Sequence, residues 1–334
     1  MNELFSGSVF TLLMPYIYLL AGLAVLIISG NLLVSGSVQL ARYFKISTLV
    51  MGLTVVAFGT SAPELFVSAG AALNNMPEIA LGNVIGSNIA NIGFILGFVA
   101  LISPIPIHNK AIGFDLLAMF FVTFLLLLFG LNGSINRFEG IFLVVVLIAY
   151  TVWSIAASRK KTKAENTETA GINSAKKSLI KKPLIAGLMI IAAITGLYFG
   201  SGWFVTGARD IALHWGVSER VIATSIVAVG TSMPELIASL IAAIKKEADL
   251  SVGNIIGSNI FNITSVLGIT AIINPLSIGS QSLFIIDMIW VFGISIALFL
   301  TMIPLSKGKI KRWEGIILLA LFLSYICILY TASN

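Results

Sequence analysis

Hydrophobic positions in this chain come in long blocks with few polar interruptions. Blocks of about 20 residues or more, the length a helix needs to cross a bilayer, cover 16–41, 47–73, 79–102, 112–131 and 138–157. A polar gap follows, and five more cover 183–208, 219–244, 250–273, 283–303 and 313–330. The pattern predicts an all-α polytopic membrane protein with ten transmembrane helices. It divides into a first five-helix unit at 1–157, a basic linker at 158–182 and a second five-helix unit at 183–334.

The two units are copies of one another. AFGTSAPE at Ala57–Glu64 and GNVIGSNIAN at Gly82–Asn91 return as AVGTSMPE at Ala228–Glu235 and GNIIGSNIFN at Gly253–Asn262. The offset is 171 positions without a gap, and 22 of the 43 positions from Val55 to Gly97 match their partners. Self-similarity at that level marks a duplicated structural unit. Because five spans is an odd number, the second unit enters the membrane from the opposite side, so the repeats are inverted, an architecture whose substrate sites form near the bilayer midplane.

Composition agrees with this reading. The 334 residues are 58% hydrophobic and 10% charged, with a mean hydropathy of +1.03, outside the range of soluble domains. The formal net charge of +6 follows from topology and signals no nucleic-acid partner. With both termini extracytoplasmic, the inner loops hold 17 of the 20 Lys and Arg residues, leaving Arg137, Arg209 and Arg220 outside, as the positive-inside rule requires. The first apolar block is not read as a signal peptide, since Glu3 stands where a basic segment would precede it. The 158–182 run, with eight basic and two acidic residues, reads as a solvated inner-face tether, with contact to anionic headgroups as the alternative. Cys327 is the single cysteine, which leaves no disulfide or zinc motif.

The repeated motif places expensive groups in apolar surroundings. On a helix, Thr60, Ser61 and Glu64 share one face, as do Thr231, Ser232 and Glu235. Pro63 and Pro234 remove the donors that the carbonyls of Gly59 and Gly230 would otherwise receive, which predicts a bent, partly unwound helix lining a cavity. Ser87 and Asn91, with Ser258 and Asn262, are spaced four apart on the third helix of each unit. Gly82, Gly86, Gly253 and Gly257 are expected to let those helices pack closely. Two carboxylates among hydroxyls, amides and carbonyls form an all-oxygen set suited to a hard cation such as calcium, and the neutral oxygens suit sodium equally.

These paired GTSxPE and GNxIGSNxxN motifs resemble those of the sodium/calcium exchangers of the cation/calcium antiporter superfamily, in their prokaryotic form without a regulatory domain. The resemblance implies that Thr60, Ser61, Glu64, Ser87, Asn91, Thr231, Ser232, Glu235, Ser258 and Asn262 coordinate ions, joined by the carbonyls of Ala57 and Ala228. It implies Na+/Ca2+ antiport across the cell membrane by alternating access, with the first and sixth helices sliding over the other eight. Asparagine at 262, where potassium-dependent relatives carry aspartate, argues against a required potassium ion. A Ca2+/H+ exchanger of the same superfamily is the alternative, with a cation channel or membrane receptor as a third reading. No phosphate-binding loop is present, so an ATP-driven or enzymatic role is not expected, nor is any cofactor beyond the transported ions. One chain holds both halves of the site, so a monomer is a sufficient unit.

Other polar residues carry milder expectations. Asp115 and Asp287 read first as interfacial residues near headgroups, with a secondary ion or proton site as the alternative. Glu139 and Glu314 read as helix-start anchors, His108 and His214 as surface residues, and Asn83 and Asn254 as groups that satisfy backbone at the helix breaks.

Overall fold

The computed structural model describes residues 2–107, 112–168, 183–216, 228–302 and 309–332. The fold is all-helical, joined by two minimal strand pairs. Helix α1 is Asn2–Phe44, α2 Thr48–Thr60, α3 Ala62–Leu73, α4 Pro77–Ile102, α5 Ile112–Gly130 and α6 Arg137–Glu168. Then come α7 Pro183–His214, the short α8 Ala228–Thr231, α9 Met233–Ile244, α10 Ala248–Ile273, α11 Gln281–Leu300 and α12 Arg312–Ala332. Eight of the described helices are long and apolar enough to cross a membrane, or nine if α2 and α3 count as one bent span. The expected seventh block is represented by α8 and the twelve-residue α9, and its start at 219 lies outside the described residues, as do Arg220, Lys110, Lys307 and His108. Helix α6 runs on to Glu168, so the first eleven residues of the basic linker are helical, and 169–182 lies outside the description.

The break between α2 and α3 is a 45° bend at Ser61, whose φ of −82° and ψ of 5° leave the helical region. Ser232 repeats it between α8 and α9, with φ −87° and ψ 7°. Each break lies two residues before its proline, because the missing proline N–H releases the preceding turn. Wide π-turns open at Gly52–Val56, Asn91–Leu96 and Asn262–Leu267. The last two begin on the motif asparagines, and such turns recur at functional sites.

Helices α4 and α10 form the centre. Over their most apolar stretch they are 72% and 89% buried, against 17% to 44% for the other long spans. The outer helices reach across the sequence halves to clasp them. A Cβ at Gly97 of α4 would lie 2.9 Å from the Gly315 carbonyl oxygen of α12, and one at Gly140 of α6 would lie 2.6 Å from that of Gly268 in α10. Such close approach replaces side-chain packing with backbone contact, the usual means of joining helices in lipid. The strands cross in the same sense. Ile105–Pro106 pairs antiparallel with Lys309–Ile310, and Ser134–Ile135 with Leu276–Ser277. Glu139 and Glu314 do anchor helix starts, accepting from the amides of Asn136 at 2.7 Å and Lys311 at 2.6 Å.

Two expectations change. Asp115 does not face water as expected: it is 4% exposed and accepts a hydrogen bond from the Tyr150 hydroxyl at 2.9 Å. Asp287, half-buried, accepts one from Tyr325 at 3.1 Å. The phenols of the neighbouring helices supply the partners that let these carboxylates leave water. The glycine expectation holds for Gly253 and Gly257, which meet α2 backbone, whereas Gly82 and Gly86 have nothing within 4 Å among the described residues.

Candidate cation-binding site

The two breaks bring the motif residues face to face. Ser61 Oγ donates to Glu235 Oε1 at 3.1 Å, and Ser232 Oγ donates to Glu64 Oε1 at 3.4 Å. Each serine lies three residues before the glutamate of its own helix, so these crossed bonds close a ring through both sequence halves. Both glutamates are fully buried. Their Oε2 atoms have no hydrogen-bond partner among the described residues, and neither do the amide nitrogens and oxygens of Asn91 and Asn262. Buried groups of this kind are normally satisfied, because stranding one costs about 1–3 kcal/mol and more when it is charged. Unpartnered buried polar atoms contributed by both sequence halves therefore point to a ligand, and the four oxygens among them, Oε2 of Glu64 and Glu235 and the side-chain oxygens of Asn91 and Asn262, have the chemistry of cation ligands.

Thr60 Oγ1 donates to the Asn254 side-chain oxygen at 3.1 Å, lies 3.4 Å from Ser258 Oγ and also 3.4 Å from the Ala57 carbonyl oxygen. Ser87 is buried on α4, one turn before Asn91. Thr231 closes α8, and the start of that helix at Ala228 places its carbonyl one turn earlier. Of the twelve expected residues, then, Ala57, Thr60, Ser61, Glu64, Ser232, Glu235 and Ser258 are linked by hydrogen bonds. Asn91 and Asn262 supply free amides, while Ser87, Thr231 and Ala228 lie on the same helices. Among the described residues no three His, Cys, Asp or Glu side chains gather as a metal cluster, here or elsewhere, so the site rests on two carboxylates and neutral oxygens.

Asn83 and Asn254 behave as helix-break supports. Asn83 donates to the Glu64 carbonyl at 3.2 Å and to Ser68 Oγ at 2.9 Å; Asn254 donates to the Glu235 carbonyl at 3.5 Å and to Ser239 Oγ at 2.9 Å. Ser68 and Ser239 were not singled out by motif reasoning. Their signal lay in the repeat, since both are matched serines four residues beyond a matched glutamate. A cleft of about 470 Å3 reaches the site from one side, lined by Pro63, Phe66, Tyr198, Trp203, Thr206 and Thr231.

The family model described as "Sodium/calcium exchanger protein" matches residues 14–156 and 185–331. The chain belongs to the sodium/calcium exchanger family. It is thus an antiporter-family membrane protein, with both matched blocks falling on the two repeats. It is 38% identical to the putative antiporter CaxA of Alkalimonas amylolytica over 96% of this chain and all of that protein. It is 30% identical to the sodium/calcium exchanger MaX1 of Methanosarcina acetivorans over 94% of this chain and 98% of that one. Its structure superposes on that of the sodium-calcium exchanger NCX_Mj, soaked with Na+ and Ca2+, with a TM-score of 0.78 and 34% identity, covering 94% of this chain and 97% of the other.

Proposed function

We propose that this exchanger-family chain moves Na+ against Ca2+ across the cell membrane through one site shared by two inverted five-helix repeats. The ring of crossed Ser–Glu bonds with its two unpartnered carboxylate oxygens carries the reading. Two buried carboxylates neutralise one calcium ion, and the surrounding hydroxyl, amide and carbonyl oxygens complete a flexible set of about 6 to 8 ligands. Thr60, Ser61, Glu64, Ser87, Asn91, Thr231, Ser232, Glu235, Ser258, Asn262 and the carbonyls of Ala57 and Ala228 form the pool from which Ca2+ and Na+ draw ligands. MaX1 and NCX_Mj carry sodium and calcium in their names, and this chain spans nearly the whole of both and shares the fold of NCX_Mj.

Antiport follows from the electrostatics. An ion-free site would bury two like charges with no counter-ion, and that desolvation is too costly for the site to cross between faces empty. A bound cation must therefore accompany each change of access, and the hydroxyl, amide and carbonyl oxygens around the two carboxylates favour Na+ as the ion exchanged for Ca2+. With ten spans, termini extracytoplasmic and 158–182 inside, the cleft beside Trp203 opens outward while the α1–α9 side is shut. That is one end state of alternating access.

The test is calcium-45 uptake into vesicles of purified protein loaded with Na+, K+ or acid and diluted into sodium-free buffer. Uptake driven by internal Na+ alone, and abolished in Glu64→Gln and Glu235→Gln, is the expected result. Uptake driven by internal acid and indifferent to Na+ would replace sodium with protons as the coupling ion.

A further inference from the structure

The site residues match between the halves, yet their flanks do not. On the α9 side, Ile237 and Ile241 are buried, and a Cβ on Gly30 of α1 would come within 2.8 Å of both side chains. The positions 171 earlier are Phe66, which is 62% exposed in the cleft, and Gly70, which has nothing within 4 Å among the described residues. The same divergence continues at Lys245. Its ammonium, at the end of α9, donates to the Asn31 carbonyl of α1 at 3.3 Å and to Ser35 Oγ at 3.1 Å. The corresponding residue in the other half is Asn74, whose amide turns back to the Gly70 carbonyl of its own helix at 2.8 Å. The counterparts of Asn31 and Ser35 are Gly202 and Thr206, and Thr206 likewise bonds within its own helix, to the Gly202 carbonyl at 2.9 Å.

We infer that Lys245 is a latch that ties α1 to α9 and holds the cytoplasmic side of the site closed, biasing the exchanger toward its outward-open state. The inference rests on the proposed exchange reading for the sidedness of the two states. The ammonium and its two acceptors sit at one side of the molecule, across the seam where Gly30 wedges between Ile237 and Ile241. Opening that seam to admit ions from the cytoplasm separates α1 from α9, so both bonds must break. No equivalent tie spans Asn74 and α7 among the described residues. The bias therefore acts on one end state alone, which a contact common to both could not do. Lys245 touches no transported ion in this arrangement and is a positioning residue.

The experiment measures sided access in vesicles containing the full chain with Cys327→Ser, so that one engineered thiol is read at a time. Ile237→Cys reports the seam beneath Gly30, labelled from the cytoplasmic side with a membrane-impermeant maleimide. Trp203→Cys reports the cleft, labelled from the opposite side. Lys245→Gln is expected to raise the labelling rate at 237 roughly three- to tenfold, the scale of losing a charge-assisted hydrogen bond in part-solvated surroundings, and to lower the rate at 203. Lys245→Arg, which keeps the charge and donors, should restore both rates. Ser35→Ala, which removes one acceptor without touching the lysine, should shift them in the same direction as Lys245→Gln. Unchanged rates in Lys245→Gln would overturn the inference. So would faster labelling at both positions, which indicates general loosening, or failure of arginine to rescue. Calcium-45 uptake in the same vesicles reports the exchange reading separately: labelling needs no transport, so its failure and the latch's failure are distinguishable.

Discussion

Replacing Glu235 with glutamine tests the site most directly. The substitution keeps shape and one oxygen donor while deleting one of two charges, and Glu235 is fully buried with an unpartnered Oε2. At an effective dielectric constant of about 20 and a carboxylate–calcium distance of about 2.4 Å, the attraction of one carboxylate for a divalent ion is on the order of 14 kcal/mol. Most of this is offset by dehydrating the ion and by the residual dipole of the amide. If only a fifth survives, about 2.8 kcal/mol, Ca2+ binding weakens about a hundredfold. Monovalent Na+ feels half the attraction and should lose on the order of tenfold. Ser61 Oγ, which donates to Glu235 Oε1, can still donate to the amide oxygen, so the variant should fold. Calorimetric titration of purified Glu235→Gln with Ca2+ and with Na+ makes the comparison. Calcium affinity within threefold of the parent, in a protein with unchanged thermal stability, would refute the assignment of Glu235 as a ligand. Equal losses for the two ions would refute the charge argument.

Other consequences can be checked by stability and binding. A Cβ at Gly253 would lie 2.5 Å from the Leu49 carbonyl oxygen, while one at Gly293 meets nothing within 4 Å among the described residues. Gly253→Ala should therefore lower the melting temperature of detergent-solubilised protein by several degrees, the scale of roughly 1–3 kcal/mol of overpacking, and Gly293→Ala should leave it unchanged. Tyr150→Phe strands the buried Asp115 carboxylate, with an expected loss of about 1–3 kcal/mol; Tyr325→Phe should cost less, because Asp287 is only half-buried, and the two melting temperatures rank them. Asn254→Ala removes support from the Glu235 carbonyl and an acceptor from Thr60, so Ca2+ affinity should fall about tenfold, by analogy with the residues that orient metal ligands, in the same titration.

Much of this was legible because a membrane leaves a chain few choices. Apolar blocks give helices, and Pro63 and Pro234 mark where they break. The repeat located Glu64 and Glu235, since an acid kept twice in an apolar block is costly unless it works. What the sequence left hidden were relationships across the halves. Periodicity says nothing about whether Ser61 bonds to its own Glu64, three residues on, or to Glu235 on the other repeat; the crossed arrangement emerges only when the two bends oppose one another. The strand pairs were hidden for the same reason, being two residues each and joined across at least 141 positions, as in Ile135 with Leu276. Asp115 was misplaced because its position near a helix end suggested water, and the Tyr150 that satisfies it lies 35 residues later.

Duplication also explains why matching and divergent positions divide the work. A carrier must reach both faces with comparable free energy, since a ligand moves a two-state equilibrium only by its differential affinity for the states. On the proposed exchange reading, matching residues around the ring, Thr60 with Thr231, Ser61 with Ser232 and Glu64 with Glu235, would give the ions nearly the same ligands whichever side is open, so binding alone would not favour one face. Any standing preference must then come from outside the ring. The pairs Ile237 and Phe66, Ile241 and Gly70, Lys245 and Asn74 are all divergent, and all lie along the helix that closes on one side and stands clear on the other. Exchanging these three residues between the halves, with the ring untouched, should therefore move the resting state toward the opposite face while Ca2+ affinity at saturating access stays the same. A swap that instead changed affinity and left sidedness alone would place the bias within the ring.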